Sequence, residues 1–290
     1  MNSRGGLWTI FTPVKSFDRV IKEDGYPVLS KQLAQKIGHI RETKNHKTYI
    51  RCCLGLDNKT FGNIPQCYIH FLDKDLVDYK VSHKCCDYIK GRVKHDRRPA
   101  FVGTTIEESR LRKNSWIQHG CNIFDKKKPM CRPLSLWTSK DIWDYIDKYK
   151  IKYSPIYDEG YERSGCITCM FGMSLEKILG NKDPTYLNRF ELLYKNNKDL
   201  FNSIVLDKKI GLWKPLTDMG IKLKINNKKY INLYNNRKKE IDEWYKNFDK
   251  NFKKIINEIQ TRNPNVFTKK EINFLLKKYS KKINKGEKYE

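Results

Sequence analysis

Eight apolar or aromatic side chains between residues 241 and 259 most constrain how this chain can fold: Ile241, Trp244, Tyr245, Phe248, Phe252, Ile255, Ile256 and Ile259. They recur at three- and four-residue spacing, the period of one face of an α-helix, with charged residues on the opposite face. The pattern predicts one long amphipathic helix, and its stripe has to be buried against something. With 39% apolar and 12% aromatic residues in 290, the chain can supply that core despite a formal net charge of +26. A second helix is predicted after Asn263-Pro264-Asn265. Thr268 and Glu271 form a capping-box pattern, followed by Ile272, Leu275, Leu276 and Tyr279. Residues 226–290 carry more than twice as many Lys and Arg as Asp and Glu. We therefore expect a domain over 1–225 followed by a basic α-helical appendage over 226–290. The appendage either packs its apolar face on the domain with its lysines in water, or presents them to nucleic acid or another partner.

The preceding residues alternate between short strands and helices. Residues 6–13, "GLWTIFTP", read as a strand. Ser16 is an expected N-cap for a short helix stopped by Gly25, and Ser30 opens a helix carrying Leu33, Ile37 and Ile40. "PAFVGTT" (99–105) reads as a strand entering a turn. "WTSKDIWDYIDKYK" reads as a helix with a Thr138–Asp141 capping box and an inner stripe of Ile142, Tyr145, Ile146 and Tyr149. This alternation predicts an α/β fold with a largely parallel sheet. No window approaches eighteen consecutive apolar residues, so no membrane span is expected. The N-terminal "MNSRGGLWTIFTPVKS" lacks an apolar signal region. A cytoplasmic location follows as the expectation, where nine cysteines point to metal, cluster or buried thiols rather than disulfides. The surplus of cations fits phosphate-bearing partners. It also fits a chain whose composition is simply rich in Lys, Asn, Ile and Tyr.

Two segments carry candidate chemistry. In "FVGTTIEESRLR", Gly103 lets backbone approach a ligand, Ser109 offers a hydroxyl, and Arg110 and Arg112 offer forked donors for phosphate or sulfate. Glu107 and Glu108 suit a ribose or those arginines. The second segment is a pair of cysteine motifs, tandem Cys85-Cys86 and Cys166-x-x-Cys169. The two-residue spacing of the latter lets both thiolates reach one metal, whereas adjacent cysteines are unusual for zinc. Buried thiols are the alternative. Cys52-Cys53 is also tandem and reads as core or as an alternative ligand pair. Cys67, Cys121 and Cys131 read as structural. The six histidines show no metal spacing, and His83 reads as a loop residue.

Taken in order, these segments resemble the phosphoadenosine phosphosulfate reductase family, a branch of the PP-loop (adenine nucleotide alpha-hydrolase-like) superfamily. The matching runs are "SFDRVIKEDGYPVLSKQLAQKI", G-x-x-x-x-E-S-x-x-R on Gly103, Glu108, Ser109 and Arg112, "RPLSLWTSKDIWDYI", and "YSPIYDEGYERSGCITCMFG". They extend from about residue 8 to about residue 220. The likeness is greatest to phage-encoded members, which would place the protein in the host cytoplasm. The resemblance implies a partial Rossmann-like parallel sheet with helices. It implies an adenine nucleotide or sulfonucleotide at Lys31, Gly103, Glu108, Ser109, Arg112 and Arg163. It also implies a [4Fe–4S] cluster on Cys85, Cys86, Cys166 and Cys169, with Lys90 as its cationic neighbour and zinc as the lesser alternative. Two family features are unmatched. No S-G-G-K-D-S phosphate loop is present, so a second chain or a homo-oligomer contact is expected to complete the sheet. No cysteine follows Cys169, so the family's C-terminal nucleophile has no counterpart. The functions implied are sulfonucleotide-linked sulfur or redox chemistry, a subunit of an ATP-dependent nucleic-acid thiolation or modification system, or a non-catalytic basic binding protein.

Overall fold

Gly25 sets the first turn of the chain. Helix α1 (Phe17–Glu23) runs into Gly25 at φ +109°, and a Cβ there would sit 2.6 Å from the Lys80 backbone. Only glycine allows that approach. It brings Tyr26 beside Val81 in an isolated parallel bridge, Tyr26 N–H donating to the Lys80 carbonyl at 2.8 Å. The computed structural model describes residues 13–42, 46–57, 63–91, 100–124, 129–161, 165–171, 173 and 187–283. The strand expected at residues 6–13 lies almost wholly outside these.

Two compact units emerge, Met1–Arg92 with Asp158–Glu290, and Val93–Tyr157. The first is helical. After α1 come α2 (Lys31–Glu42), α3 (Lys47–Leu54) and a 3₁₀ turn (Gln66–Leu72). The Ser30 hydroxyl accepts from Leu33 N–H at 3.2 Å, and Ile37 and Ile40 are buried as their spacing predicts. Its second half holds α6 (Leu187–Asn196), α7 (Lys198–Phe201), α8 (Trp213–Asp218), α9 (Lys228–Lys246), α10 (Phe248–Arg262) and α11 (Lys269–Ile283), the label numbers counting in chain order with α4 and α5 in the other unit. Six of the eight stripe residues at 241–259 are buried and Ile241 and Tyr245 are partly buried, but the stripe lies on two helices rather than one. The break falls at Asn247. Its side-chain amide donates to the Glu243 carbonyl at 3.1 Å, and Asn251 donates to the Trp244 carbonyl at 2.9 Å, so both compete for helix acceptors. The Thr268–Glu271 capping box is formed, with Thr268 N–H to Glu271 Oε2 at 2.8 Å and Glu271 N–H to Thr268 Oγ1 at 3.3 Å. Phe252, Ile256, Leu275 and Tyr279 share one core with Ile37, Ile50 and Phe71.

A buried polar network ties α9 to this core. Arg237 donates to Asp218 at 2.7 Å and to the Leu76 carbonyl at 2.7 Å, and Tyr79 donates to Asp218 at 2.6 Å. His70 lies between the Tyr245 hydroxyl at 2.9 Å and the Asp218 carbonyl at 3.0 Å.

The second unit holds a three-stranded sheet of two-residue strands: β1 (Ala100–Phe101), β2 (Asn122–Ile123) and β3 (Met130–Cys131), in the order β1-β3-β2. β1 and β3 are parallel, while β2 and β3 are antiparallel, so the sheet is mixed where a largely parallel one was expected. Helix α4 (Arg110–His119) ends at Gly120, φ +66°, just before β2, and the few residues between β2 and β3 suit an antiparallel pair, since parallel strands need a crossover of about a dozen residues or more. Helix α5 (Ser139–Tyr149) has the expected Thr138–Asp141 capping box. Its expected inner stripe is not buried: Tyr145 and Tyr149 are 43% and 56% exposed. Among the described residues of this unit only Thr105, Ile123 and Ser135 are buried. A unit of this size has too little interior to receive the stripe, and its rings pack against one another at a tilt instead, the Tyr145 and Tyr149 centroids 4.5 Å apart. No helix among the described residues is long and apolar enough to cross a membrane.

Two stability predictions follow from the network. Asp218→Ala strands a buried guanidinium and should cost about 3–5 kcal/mol in urea unfolding, much of it recovered when Arg237 is also replaced by Met. Burial lowers the His70 pKa from 6.5 to about 4, against the opposing pull of Asp218. The unfolded ring therefore takes its proton first as pH falls. Stability present above pH 6.5 should be lost between there and pH 4, by up to about 3 kcal/mol, and His70→Gln should flatten that decline.

Candidate functional site

The first candidate site is built on the CITC turn. Cys169 N–H donates to the Cys166 carbonyl at 3.0 Å, closing the turn so that both cysteines stand at its ends. The same carbonyl accepts from Arg189 at 3.0 Å, a buried residue of α6. A Cβ on Gly165 would lie 2.6 Å from that guanidinium, so glycine lets Arg189 reach the turn. Burial pushes the Cys169 thiol above its ordinary pKa, the charges of Cys86 and Cys166 add to the shift, and Arg189 opposes it. Cys86 and Cys166, with 79 residues between them in the chain, thus both contribute to the upward shift of Cys169.

The tandem pair sits in a single helical turn that leads into a π-helical turn, Asp87–Gly91. Neighbouring helical residues point about 100° apart. Cys85 is buried with Val20 and Tyr88, while Cys86 is half-buried and coupled to Cys169. Lys31, at the start of α2, donates to Asp87 at 2.9 Å. That bond raises the Lys31 pKa, and the Cys86 thiol adds to the rise. Of the expected cationic contacts, Lys31 is thus placed beside Asp87 and Cys86. The Lys90 side chain and Arg163 lie outside the described residues. Thiols held among Lys31 and Arg189 form a donor set suited to a thiolate-ligated group, whose negative charge such cations offset. Among the described residues, no three His, Cys, Asp or Glu side chains lie as a ligand set for one metal ion.

The remaining cysteines separate clearly. Cys52 and Cys53 are buried on α3, and burial pushes the Cys53 thiol up to about 11, so this tandem pair is core. Cys121 accepts from the Trp116 indole at 3.3 Å, and Cys131 lies in β3. Histidines distant in sequence gather in space: the His39 ring is 6.1 Å from His46 and 6.4 Å from His83.

The second candidate site, in the other unit, is a pocket of about 280 Å³. It lies beyond the carboxyl ends of the parallel strands β1 and β3, the position where open α/β sheets bind ligands. Val102 and Thr105 line it after β1, Arg132 and Ser135 after β3, and Arg112 and Ser115 from α4. Arg132 donates to the Ser115 hydroxyl at 3.1 Å. The E-S-x-x-R run has a clear local role. Ser109 caps α4 by accepting from Arg112 N–H at 3.3 Å, Glu108 accepts from Thr105 N–H at 3.0 Å, and Glu108 pairs with Arg112. Gly103 is exposed, and a Cβ there would meet nothing within 4 Å. Arg112, Arg132 and the α4 N-terminus make this an anion-attracting pocket.

Arg132 and Arg189 were not singled out from sequence. Arg132 stands in the "CRPLSLW" run, so its neighbourhood was visible. Arg189 stands outside every motif, and only packing reveals it.

Residues 68–171 match the phosphoadenosine phosphosulfate reductase domain. Its relatives include adenosine 5'-phosphosulfate reductases. That of Lysinibacillus sphaericus is 33% identical over 92 residues, covering 30% of this chain and 38% of the relative. That of Salinibacter ruber is 31% identical over 74 residues, covering 26% and 29%. That of a Geobacillus species is 35% identical over 94 residues, covering 30% and 38%. The chain thus spans well under half the length of these curated relatives. No solved structure matches it. The matched segment contains both cysteine motifs and the E-S-x-x-R run. Lys31 and helices α9 to α11 fall outside it.

The thiol environments predict an order of alkylation in the native protein. Cys53 should stay unlabelled until unfolding, and Cys169 should label more slowly at pH 7 than at pH 9, as mass spectrometry of iodoacetamide-treated protein would read.

Proposed function

We propose that this chain is a phosphoadenosine phosphosulfate reductase-like protein that binds an adenine nucleotide or sulfonucleotide and carries an iron–sulfur cluster. What supports the reading is the CITC turn, closed by the Cys169 N–H bond to the Cys166 carbonyl and braced by Arg189, together with the tandem pair in the same family-matched segment. Cys86, Cys166 and Cys169, with Cys85 from the tandem pair, would hold the cluster. Lys31 and Arg189 offset its charge, and the Arg189 bond to the Cys166 carbonyl fixes the turn. When bound, such a cluster supplies redox capacity and a strong local field tuned by these cations.

The nucleotide reading rests on the pocket after β1 and β3. Arg132, steadied by Ser115, and Arg112 would take the phosphate or sulfate oxygens as forked donors. Arg112 exchanges its Glu108 partner for the ligand, while Ser109 keeps the α4 N-terminus formed. Gly103 leaves open space at the strand end.

Anaerobically purified protein should be brown and contain about four iron atoms and four acid-labile sulfides per chain, with Cys86→Ser and Cys169→Ser each losing them. Protein that carries no iron after anaerobic reconstitution would overturn the cluster. Calorimetry should detect adenosine 5'-phosphosulfate, with affinity falling about tenfold or more in Arg132→Ala. Binding unchanged in both Arg132→Ala and Arg112→Ala would rule this pocket out.

A further inference from the structure

The family match and both candidate sites leave α10 and α11 without a role beyond packing. Their inner residues are fully used: Phe248, Phe252, Ile255, Ile256 and Ile259 of α10 are buried. The outer face of α10 carries Lys250, Lys253, Lys254, Asn257 and Thr261, which repeat at three- and four-residue steps over about 16 Å of helix. This face forms one wall of an open groove of about 650 Å³, whose other lining includes Lys74 and Arg262. A second groove, of about 570 Å³, shares Lys250 and Lys253 and continues onto α11 through Lys277 and Ser280. Six cationic side chains line the two grooves, against Glu258 and Asp249 as the anionic ones.

The cations are of two kinds. Lys254 is held by Asp75 and reaches Asp73 at 3.7 Å, and Arg262 donates to the Ile40 carbonyl at 3.1 Å, so both are structural. Lys250, Lys253 and Lys277 are exposed and make no ion pair among the described residues. Beside them on α11, Phe274 is 53% exposed, three residues from Lys277 and therefore on a neighbouring part of the helix surface.

We infer that this face binds the phosphate backbone of single-stranded nucleic acid without sequence preference. Lys250, Lys253 and Lys277 meet successive phosphates. Asn257 and Thr261 are polar groups of the kind that position a backbone, and Phe274 offers a ring on which a base stacks. A membrane surface fits less well. An interfacial helix needs an apolar face to enter the lipid, and that of α10 is spent in the core.

The test uses the full chain and a fluorescent thirty-nucleotide single strand, read by anisotropy across a salt series. Lys250→Glu, Lys253→Glu and Lys277→Glu combined should weaken binding by about tenfold or more and flatten the salt slope by about two. An equal charge change at Lys195, Lys208 and Lys209 should have a much smaller effect, and Phe274→Ala should weaken the single strand more than a duplex. Matching melting temperatures would show that the variants fold. No binding at low salt, equal losses in the two triple variants, or binding to phosphatidylserine vesicles but not to the oligonucleotide would each overturn the proposal.

Discussion

The buried pairing of Arg237 with Asp218 holds the larger unit together. It is a charged contact inside a core, where an unpartnered guanidinium would be costly. The structure meets that cost with several acceptors at once. Arg237 reaches Asp218, Glu240 and the Leu76 carbonyl, and Asp218 also accepts from Tyr79. These residues come from α9, from α8 and from the segment after the 3₁₀ turn. The network therefore fixes the basic C-terminal helices onto the segment that leads to Cys85 and Cys86. Both the candidate cluster site and the basic face of α10 depend on this docking.

The two candidate sites use charge in opposite ways. At the cysteines, cations surround groups that become negative as thiolates. Burial opposes ionisation of Cys169, and ligation is one way to keep a buried thiolate. In the smaller unit, Arg112 and Arg132 stand beyond the strand ends in a pocket wide open to solvent. Neither arrangement requires a large sheet. Two-residue strands are enough to order Val102 and Arg132, since Val102 N–H bonds to the Cys131 carbonyl at 2.8 Å.

Local signals in the sequence proved the most legible. Both capping boxes, at Thr138 and Thr268, are formed, and the stripes pack into the core through Ile37 and Ile40 of α2, Phe252, Ile255, Ile256 and Ile259 of α10, and Leu275 and Tyr279 of α11. Such features depend on residues within one or two turns of each other. The break at Asn247 was not legible, because helical periodicity continues through it while two asparagine amides compete for the backbone. The α5 stripe was legible as a pattern but not in its burial, which depends on how much interior the unit can offer. The mixed sense of the sheet likewise rests on which strands pair, a long crossover through α4 joining β1 to its parallel neighbour and a short connection joining β2 to β3.

The sequence by itself determined the match of residues 68–171 to a known domain, the cysteine motifs and their spacing, the E-S-x-x-R run and the surplus of positive charge. Each is a matter of residue identity and order along the chain. Only the tertiary structure decided which of these groups feel one another. It brought Cys86 and Cys166 to bear on Cys169, placed Cys53 in the core, supplied Arg189 and Arg132 from outside the expected sets, and left Lys250, Lys253 and Lys277 exposed without an ion pair among the described residues. The reason is physical. Burial and the distance between charges are set by packing among segments far apart in the chain, and these decide which thiol is shifted, which cation is neutralised and which is left for a partner.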